Sequence, residues 1–270
     1  MSRTILLTGG TDGIGFETAK AFVAEGHRLL LHGRSEDKLA RAREALIAAR
    51  GGEARVETFR ADLSRLDEVD ALARRVEESV PAIDVLVNNA GVFKVPTTLT
   101  RDGHDVRLIV NTVAPWLLTS RLLPRMGPRA RVVNLSSAAQ APVDVDGLLA
   151  GRRLEDGDAY AQSKLGITMW SFHLARELGA RGPAIIAVNP ASFLGSKMVK
   201  DAYGSDGKDL SIGVDVLRRA ALGDDFADAS GRYYDNDSGR FADPHPDALD
   251  AGKCARLVAV MNQLLLQLGL

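Results

Sequence analysis

The chain has 270 residues, and its 34 basic and 35 acidic side chains leave a formal charge of −1, with 46% of positions apolar. This balance offers no basic footprint for nucleic acid or anionic lipid, and a chain of this length can bury about 75% of its extended surface without covalent staples. The single cysteine, Cys254, excludes an intrachain disulfide, a CxxC redox pair and a thiolate-rich zinc site, and the five histidines are scattered, so a metal-free protein in a reducing, cytoplasmic setting is expected.

No apolar run approaches the ~18 residues that a bilayer span requires. The opening MSRTILLTGG leads into a glycine turn rather than a signal-peptide pattern, so neither secretion nor membrane insertion is expected.

In chain order, β-rich runs at residues 4–8, 28–32, 56–60, 83–87, 131–135 and 184–188 alternate with segments of helical period at 14–25, 36–50, 66–79, 104–126 and 159–180. Alternation of this kind specifies βαβ units, and the expectation is an α/β fold: one doubly wound, Rossmann-type parallel sheet with helices on both faces. Residues 143–158, 195–213 and 224–250 break the pattern and read as loops or small insertions. A largely apolar closing helix at 248–268 packs on the body or in a subunit contact.

The first strand runs into Thr8-Gly9-Gly10-Thr11-Asp12-Gly13-Ile14-Gly15 and then a helix. A strand–glycine turn–helix unit presents backbone N–H groups and a helix N-terminus to a pyrophosphate, and glycines let it approach closely. Glycine also serves tight turns that bind nothing. The second strand ends in Leu31-His32-Gly33-Arg34-Ser35, with no carboxylate for a ribose 2′-hydroxyl and an arginine able to pair with a 2′-phosphate. NADP(H) is therefore favoured over NAD(H), against the alternative of a plain surface arginine and with Asp12 in the glycine turn weakening the case.

Tyr160 and Lys164 are spaced to share one helix face. Reduction of a carbonyl needs a proton donor, and tyrosine, with an ordinary pKa near 10, becomes a workable one beside an ammonium that stabilises its phenolate. Ser136 and Ser137 end the fifth strand, at the carboxyl edge where open α/β sheets place ligands.

The glycine turn, Asn88-Asn89-Ala90-Gly91 and Tyr160-Ala-Gln-Ser-Lys164 occur in an order that resembles the short-chain dehydrogenase/reductase family. NNAGV, LTRDGHD, VVNLSS and AYAQSKLG are similar to its retinol-dehydrogenase-like branch. The resemblance implies cofactor contacts from Gly9, Thr11, Asp12, Gly13, Ile14, Gly15 and Arg34 in the first half of the site. It adds Asp62 and Leu63 beside the adenine, Asn89, Ala90 and Gly91 near its ribose, and Tyr160, Lys164 and Pro190 towards the nicotinamide. Asp62 has the further reading of a helix N-cap.

It also implies a catalytic set of Asn111, Ser137, Tyr160 and Lys164. Ser137 would bond the substrate oxygen, Lys164 the nicotinamide ribose, and Asn111 a water leading from the lysine to solvent or a backbone carbonyl. The 23 residues from Ser137 to Tyr160 exceed the usual spacing, and the extra segment, with Val143, is expected to form a flap.

Where the family commonly has Pro-Gly and a nearby Thr, this chain has Pro190-Ala191 and then Ser196. Segment 191–213 corresponds to a substrate lid and 224–270 to a C-terminal extension. Phe193, Leu194, Met198 and Tyr203 in the lid, with Phe93 and Val143 opposite, suggest a pocket for a small hydrophobic carbonyl or alcohol; loop packing is the other reading. Trp116, Trp170 and Phe172 lie on helices resembling the family's subunit-contact pair, leaving a homodimer or homotetramer and simple core packing both open. The function expected is NADP(H)-dependent hydride transfer, with a catalytically weak cofactor sensor as the alternative.

Overall fold

The structure is a computed structural model that describes residues 2–204 and 206–270, without the side chains of Lys197, Ala202 and Tyr203. The Tyr203 side chain expected in the lid thus lies outside the described residues.

The first half of the chain comprises β1 (Thr4–Leu7), α1 (Gly13–Ala24), β2 (Arg28–Gly33), α2 (Glu36–Ala49), β3 (Val56–Arg60), α3 (Leu66–Ser79) and β4 (Val85–Asn88). The second half begins with α4 (Val106–Leu108), a π-turn (Ile109–Val113), α5 (Ala114–Leu122), β5 (Arg131–Leu135), α6 (Val145–Ala150), α7 (Asp156–Leu178) and β6 (Ala184–Asn189). It closes with α8 (Lys197–Tyr203), α9 (Ser211–Leu222), β7 (Arg232–Asp235), β8 (Arg240–Ala242), α10 (Pro246–Leu249) and α11 (Ala251–Gln267).

The strands form one sheet in the order β3-β2-β1-β4-β5-β6-β7-β8, parallel except for β8. Strands covered on both faces need no polar alternation, and Ile5, Leu6 and Leu7 of β1 are all fully buried. Successive side chains point to opposite faces. Leu6 enters a core with Leu72 of α3, Trp116 of α5, Trp170 of α7 and Leu257 of α11. Ile5 and Leu7 enter the other, with Phe22 of α1, Leu39 of α2 and Val216 of α9. Strand order reverses between β1 and β4, so their carboxyl ends open the crevice in which such sheets place ligands.

The six strands expected are present, with β4 shifted to Val85–Asn88. The single helix expected at 104–126 is instead α4, the π-turn and α5, because an extra residue is accommodated where Asn111 turns inward to bond Val92 and Ser163. Trp116 and Trp170 meet edge-to-face at 5.7 Å within the chain's own core, and the Trp116 Nε1–H donates to Asn262 Oδ1 of α11 at 2.8 Å. Core packing therefore accounts for both tryptophans.

The segments read as loops hold more structure than that. Residues 143–158 contain α6 and the start of α7, and 195–213 contain α8 and the start of α9. Residues 224–250 contain the β7–β8 hairpin, whose strands of four and three residues are too short for a periodic signal. What holds the hairpin is a cluster of Phe226, Tyr234 and Phe241, with ring centroids 4.9 to 5.1 Å apart.

Segment 143–158 is fastened by a buried cation. The Arg107 side chain is fully buried, donating to Asp105 Oδ1 at 2.8 Å and to the Leu154 carbonyl at 3.2 Å, and pairing with Asp156 in the first turn of α7. His104 Nδ1 lies 3.0 Å from the Leu148 carbonyl, joining α6 to the same base.

Candidate active site

The glycine turn lies at the carboxyl end of β1, and at Gly9 and Gly15 its shape leaves no room for a side chain. Gly9 has φ +66°, and a Cβ there would sit 2.8 Å from Ala90 Cα; at Gly15 it would sit 2.2 Å from the Gly9 carbonyl oxygen. Asp12 caps α1, accepting from the Gly13 N–H at 2.9 Å. Asn89 Nδ2 donates to the carbonyls of Thr8 at 2.8 Å and Gly9 at 3.1 Å, while the N–H groups of Asn89 and Ala90 share Thr8 Oγ1 at 3.0 Å. The turn after β4 is thereby locked against the turn after β1. A cradle with glycines in van der Waals contact with its walls, and a buried Asn89 Oδ1 with no hydrogen-bond partner among the described residues, fits a dinucleotide.

His32, which the sequence reading passed over, supports the cradle from below. Its Nδ1 accepts from the Gly9 N–H at 3.3 Å, which leaves the proton on Nε2 to be donated to the Ala61 carbonyl at 3.1 Å. Burial pushes its pKa from 6.5 down to about 4. Asp62 follows directly, and its Oδ1 accepts from Ser64 N and Oγ in a local turn. Arg65 is the N-cap of α3, so the capping role weighed for Asp62 is not the one it has. Leu63 is buried in the core.

Arg34 is exposed and follows the end of β2. Between the glycine turn and α2, a cavity of about 370 Å³ is lined by Thr11, Asp12, Phe16, Lys38, Arg41 and Ala42. The Lys38 ammonium lies 3.0 Å from Asp12 Oδ2, offsetting the carboxylate that counted against a phosphate. Lys38 and Arg41 could have been found from the sequence: both lie just beyond the Ser35 cap of α2.

Tyr160 and Lys164 lie on one face of α7, with Nζ 5.6 Å from the tyrosine ring centroid. The lysine is buried and donates to the Leu135 carbonyl at 2.8 Å, and burial lowers its pKa from 10.5 to about 8. Asn111 accepts from Val92 N at 2.8 Å and donates to Val92 O and Ser163 Oγ at 2.9 Å, so its side chain has the backbone-satisfying role. Gly91 passes between them: a Cβ there would be 3.3 Å from Asn111 Oδ1 and 3.5 Å from Lys164 Nζ.

Ser137, half-buried after β5, has its carbonyl held by the Tyr233 hydroxyl at 3.1 Å and by Gln140 Nε2 at 2.9 Å. Its neighbour Ser136 is buried and bonded to Thr168 and the Lys164 carbonyl, leaving Ser137 as the serine nearer solvent.

Phe93 lies on Tyr160, with ring centroids 4.8 Å apart. Val143 and Met198 are half-buried and Phe193 is 54% exposed, whereas Leu194 is buried, with its Cδ1 against Gly213 of α9. Gly213 also abuts Ile14, so Leu194 and Ile14 belong to the packing between α1 and α9. The Pro190 carbonyl accepts from Asn236 Nδ2 at 3.0 Å. Ser196 caps α8, accepting from the Val199 N–H at 3.3 Å, and its Cβ faces Gly13.

A nucleotide-binding α/β fold with a polar cluster at its switch point is the class that these observations define. The profile of the short chain dehydrogenases matches residues 3–205, and the chain belongs to that family of oxidoreductases, in its retinol-dehydrogenase-like branch. Human retinol dehydrogenase 13 is 29% identical over 97% of this chain and 84% of its own length. Human polyprenol dehydrogenase is 34% identical over 68% of this chain and 58% of its own length. The crystal structure of a short chain dehydrogenase from Burkholderia cenocepacia in complex with NADP is 26% identical, covers 87% of this chain and 95% of that one, and superposes with a TM-score of 0.69. Among the described residues no helix is long and apolar enough to cross a membrane.

Proposed function

We propose that this chain transfers hydride between NADP(H) and a hydrophobic carbonyl or alcohol, with Tyr160 as the acid and base. The observation that carries the reading is the buried Lys164 ammonium one helical turn from the Tyr160 ring, at the carboxyl edge of a sheet whose crevice fits a dinucleotide.

When bound, the cofactor supplies or accepts the hydride. Gly9, Thr11, Asp12, Gly13 and Gly15 hold its pyrophosphate, and Asp62, Asn89, Ala90 and Gly91 line the adenosine side. Arg34, just after β2, meets the 2′-phosphate, with Lys38 and Arg41 lining a cavity beside the glycine turn, a preference also supported by the NADP in the Burkholderia relative. Pro190 and Lys164 flank the nicotinamide riboside.

In reduction, Tyr160 donates its phenolic proton to the carbonyl oxygen as charge develops there, and the Lys164 ammonium stabilises the phenolate left behind. Ser137 donates a second hydrogen bond to that oxygen. Asn111 fixes Val92 and Ser163 around the lysine. Phe93, Val143, Phe193 and Met198 provide the apolar surface for the substrate.

The test is loss of NADPH absorbance over a panel of apolar ketones and aldehydes. Turnover with NADPH preferred over NADH is expected; tight NADPH binding with no turnover across the panel would reject the catalytic reading.

A further inference from the structure

The loop after β6 is held in a backbone conformation that its own residues disfavour. Ala191 has φ +120° and Phe193 φ +57°, both in the region that favours glycine, and the residue between them is Ser192. Outliers of this kind persist only where surrounding contacts over-determine them. Here those contacts converge on one side chain of the β7–β8 turn.

Asp237 accepts from Ser192 N at 3.0 Å, Ser192 Oγ at 2.5 Å, Asn189 Nδ2 at 2.9 Å and Lys208 Nζ at 3.3 Å. Ser192 lies at the root of the segment that leaves β6, and Lys208 lies where that segment returns. The two roots are also bonded directly, Lys208 N to Phe193 O at 2.6 Å and Gly195 N to Lys208 O at 2.7 Å. Partial burial opposes ionisation of Asp237, yet the Ser192 hydroxyl and N–H, Asn189 and Lys208 outweigh it and hold the carboxyl down at about 2. The neighbouring Asn236 Nδ2 adds bonds to Pro190 O and Ile212 O, at 3.0 and 3.1 Å.

We propose that Asp237 is a positioning residue: its carboxylate joins both roots of the segment after β6 and holds Ala191 in its strained conformation, fixing the wall that faces the nicotinamide. The proposal rests on the cofactor reading above for what the wall contacts. Ala191 stands where a glycine would take the same φ without strain, so this chain depends on the carboxylate more than a chain with glycine there would.

The test combines Asp237→Asn with Ala191→Gly. In Asp237→Asn, one acceptor oxygen becomes an NH₂ facing donors, and the NADPH dissociation constant is expected to rise about 10-fold, the scale of one hydrogen bond to a charged group. Adding Ala191→Gly should recover most of that loss, because glycine reaches φ +120° without the latch. A merely structural role predicts a lower melting temperature with unchanged NADPH affinity of the folded protein, and no recovery by glycine; either result overturns the proposal.

If Asp237→Asn does not fold, Ser192→Ala and Lys208→Met each remove one partner, and wild-type NADPH affinity in both overturns it equally. A crystal structure of cofactor-free Asp237→Asn, or of those two variants, separates this proposal from the cofactor reading. Ala191 leaving the positive-φ region supports the latch even if wild-type protein binds no NADPH, and an unmoved loop refutes it.

Discussion

Lys164 Nζ lies 5.6 Å from the centroid of the Tyr160 ring and donates at 2.8 Å to the carbonyl of Leu135, the last residue of β5. The strand thus fixes the height of the ammonium, and the helix fixes the phenol beside it. Replacing Tyr160 with Phe keeps the ring against Phe93 and removes only the proton donor. Turnover should fall by about 10²- to 10⁴-fold, the scale of one general acid, while NADPH titration by fluorescence shows retained binding. A kcat close to wild type would remove Tyr160 from its role.

The pKa of about 8 at Lys164 makes the cofactor-free site sensitive to mild alkali. Below that value the group is an ammonium, the form that the proposed contact with the ribose requires; above it the group becomes a neutral amine. NADPH affinity should therefore weaken as pH rises through about 8, and Lys164→Met should bind weakly with no step there. A wild-type affinity flat across that range would contradict the assignment.

On the adenosine side, Arg34→Asp should raise the KM for NADPH about 10- to 150-fold, equivalent to about 1.5 to 3 kcal/mol for a charge-assisted contact, and leave NADH little changed. Lys38→Met should act in the same direction, since Lys38 follows Arg34 closely in the chain and lines the cavity beside the glycine turn. Equal effects on both cofactors would exclude a phosphate contact.

Neutral His32 ties the glycine turn to Ala61. Its folded pKa of about 4 lies below the ordinary 6.5, so between these values the unfolded chain binds the proton more readily. Stability should fall as pH drops from 6.5 towards 4, by up to about 3 kcal/mol, and the penalty should level off below. Urea melts of wild type and His32→Asn across this range measure it; parallel curves would show that His32 is not the group responsible.

The sheet and the glycine turn were legible because β1, β2, β4, β5 and β6 each carry a short apolar core, and β1, β2 and β3 are each followed closely by a helical segment. The Tyr160–Lys164 pair was legible because one turn of a helix fixes which face both occupy. The hairpin of β7 and β8 was not, since short strands held by an aromatic cluster of distant residues carry no local period. Nor were His32 and Asp237, whose partners lie 23 and 45 positions away. Their identity is in the sequence, but their meaning is a matter of tertiary placement.

The buried guanidinium of Arg107 sets a condition on how such an enzyme can diversify. The region between Ser137 and Tyr160 invites exchange, as a surface insertion usually does. In this chain, however, its exit and the first turn of α7 share one counterion with the segment before α4. A transplanted insertion that lacked Asp156 would leave Asp105 as the one carboxylate on that buried cation and weaken its compensation. Any change of specificity through this region is therefore bound to concerted exchange of two distant stretches, and relatives that differ in one should differ in the other.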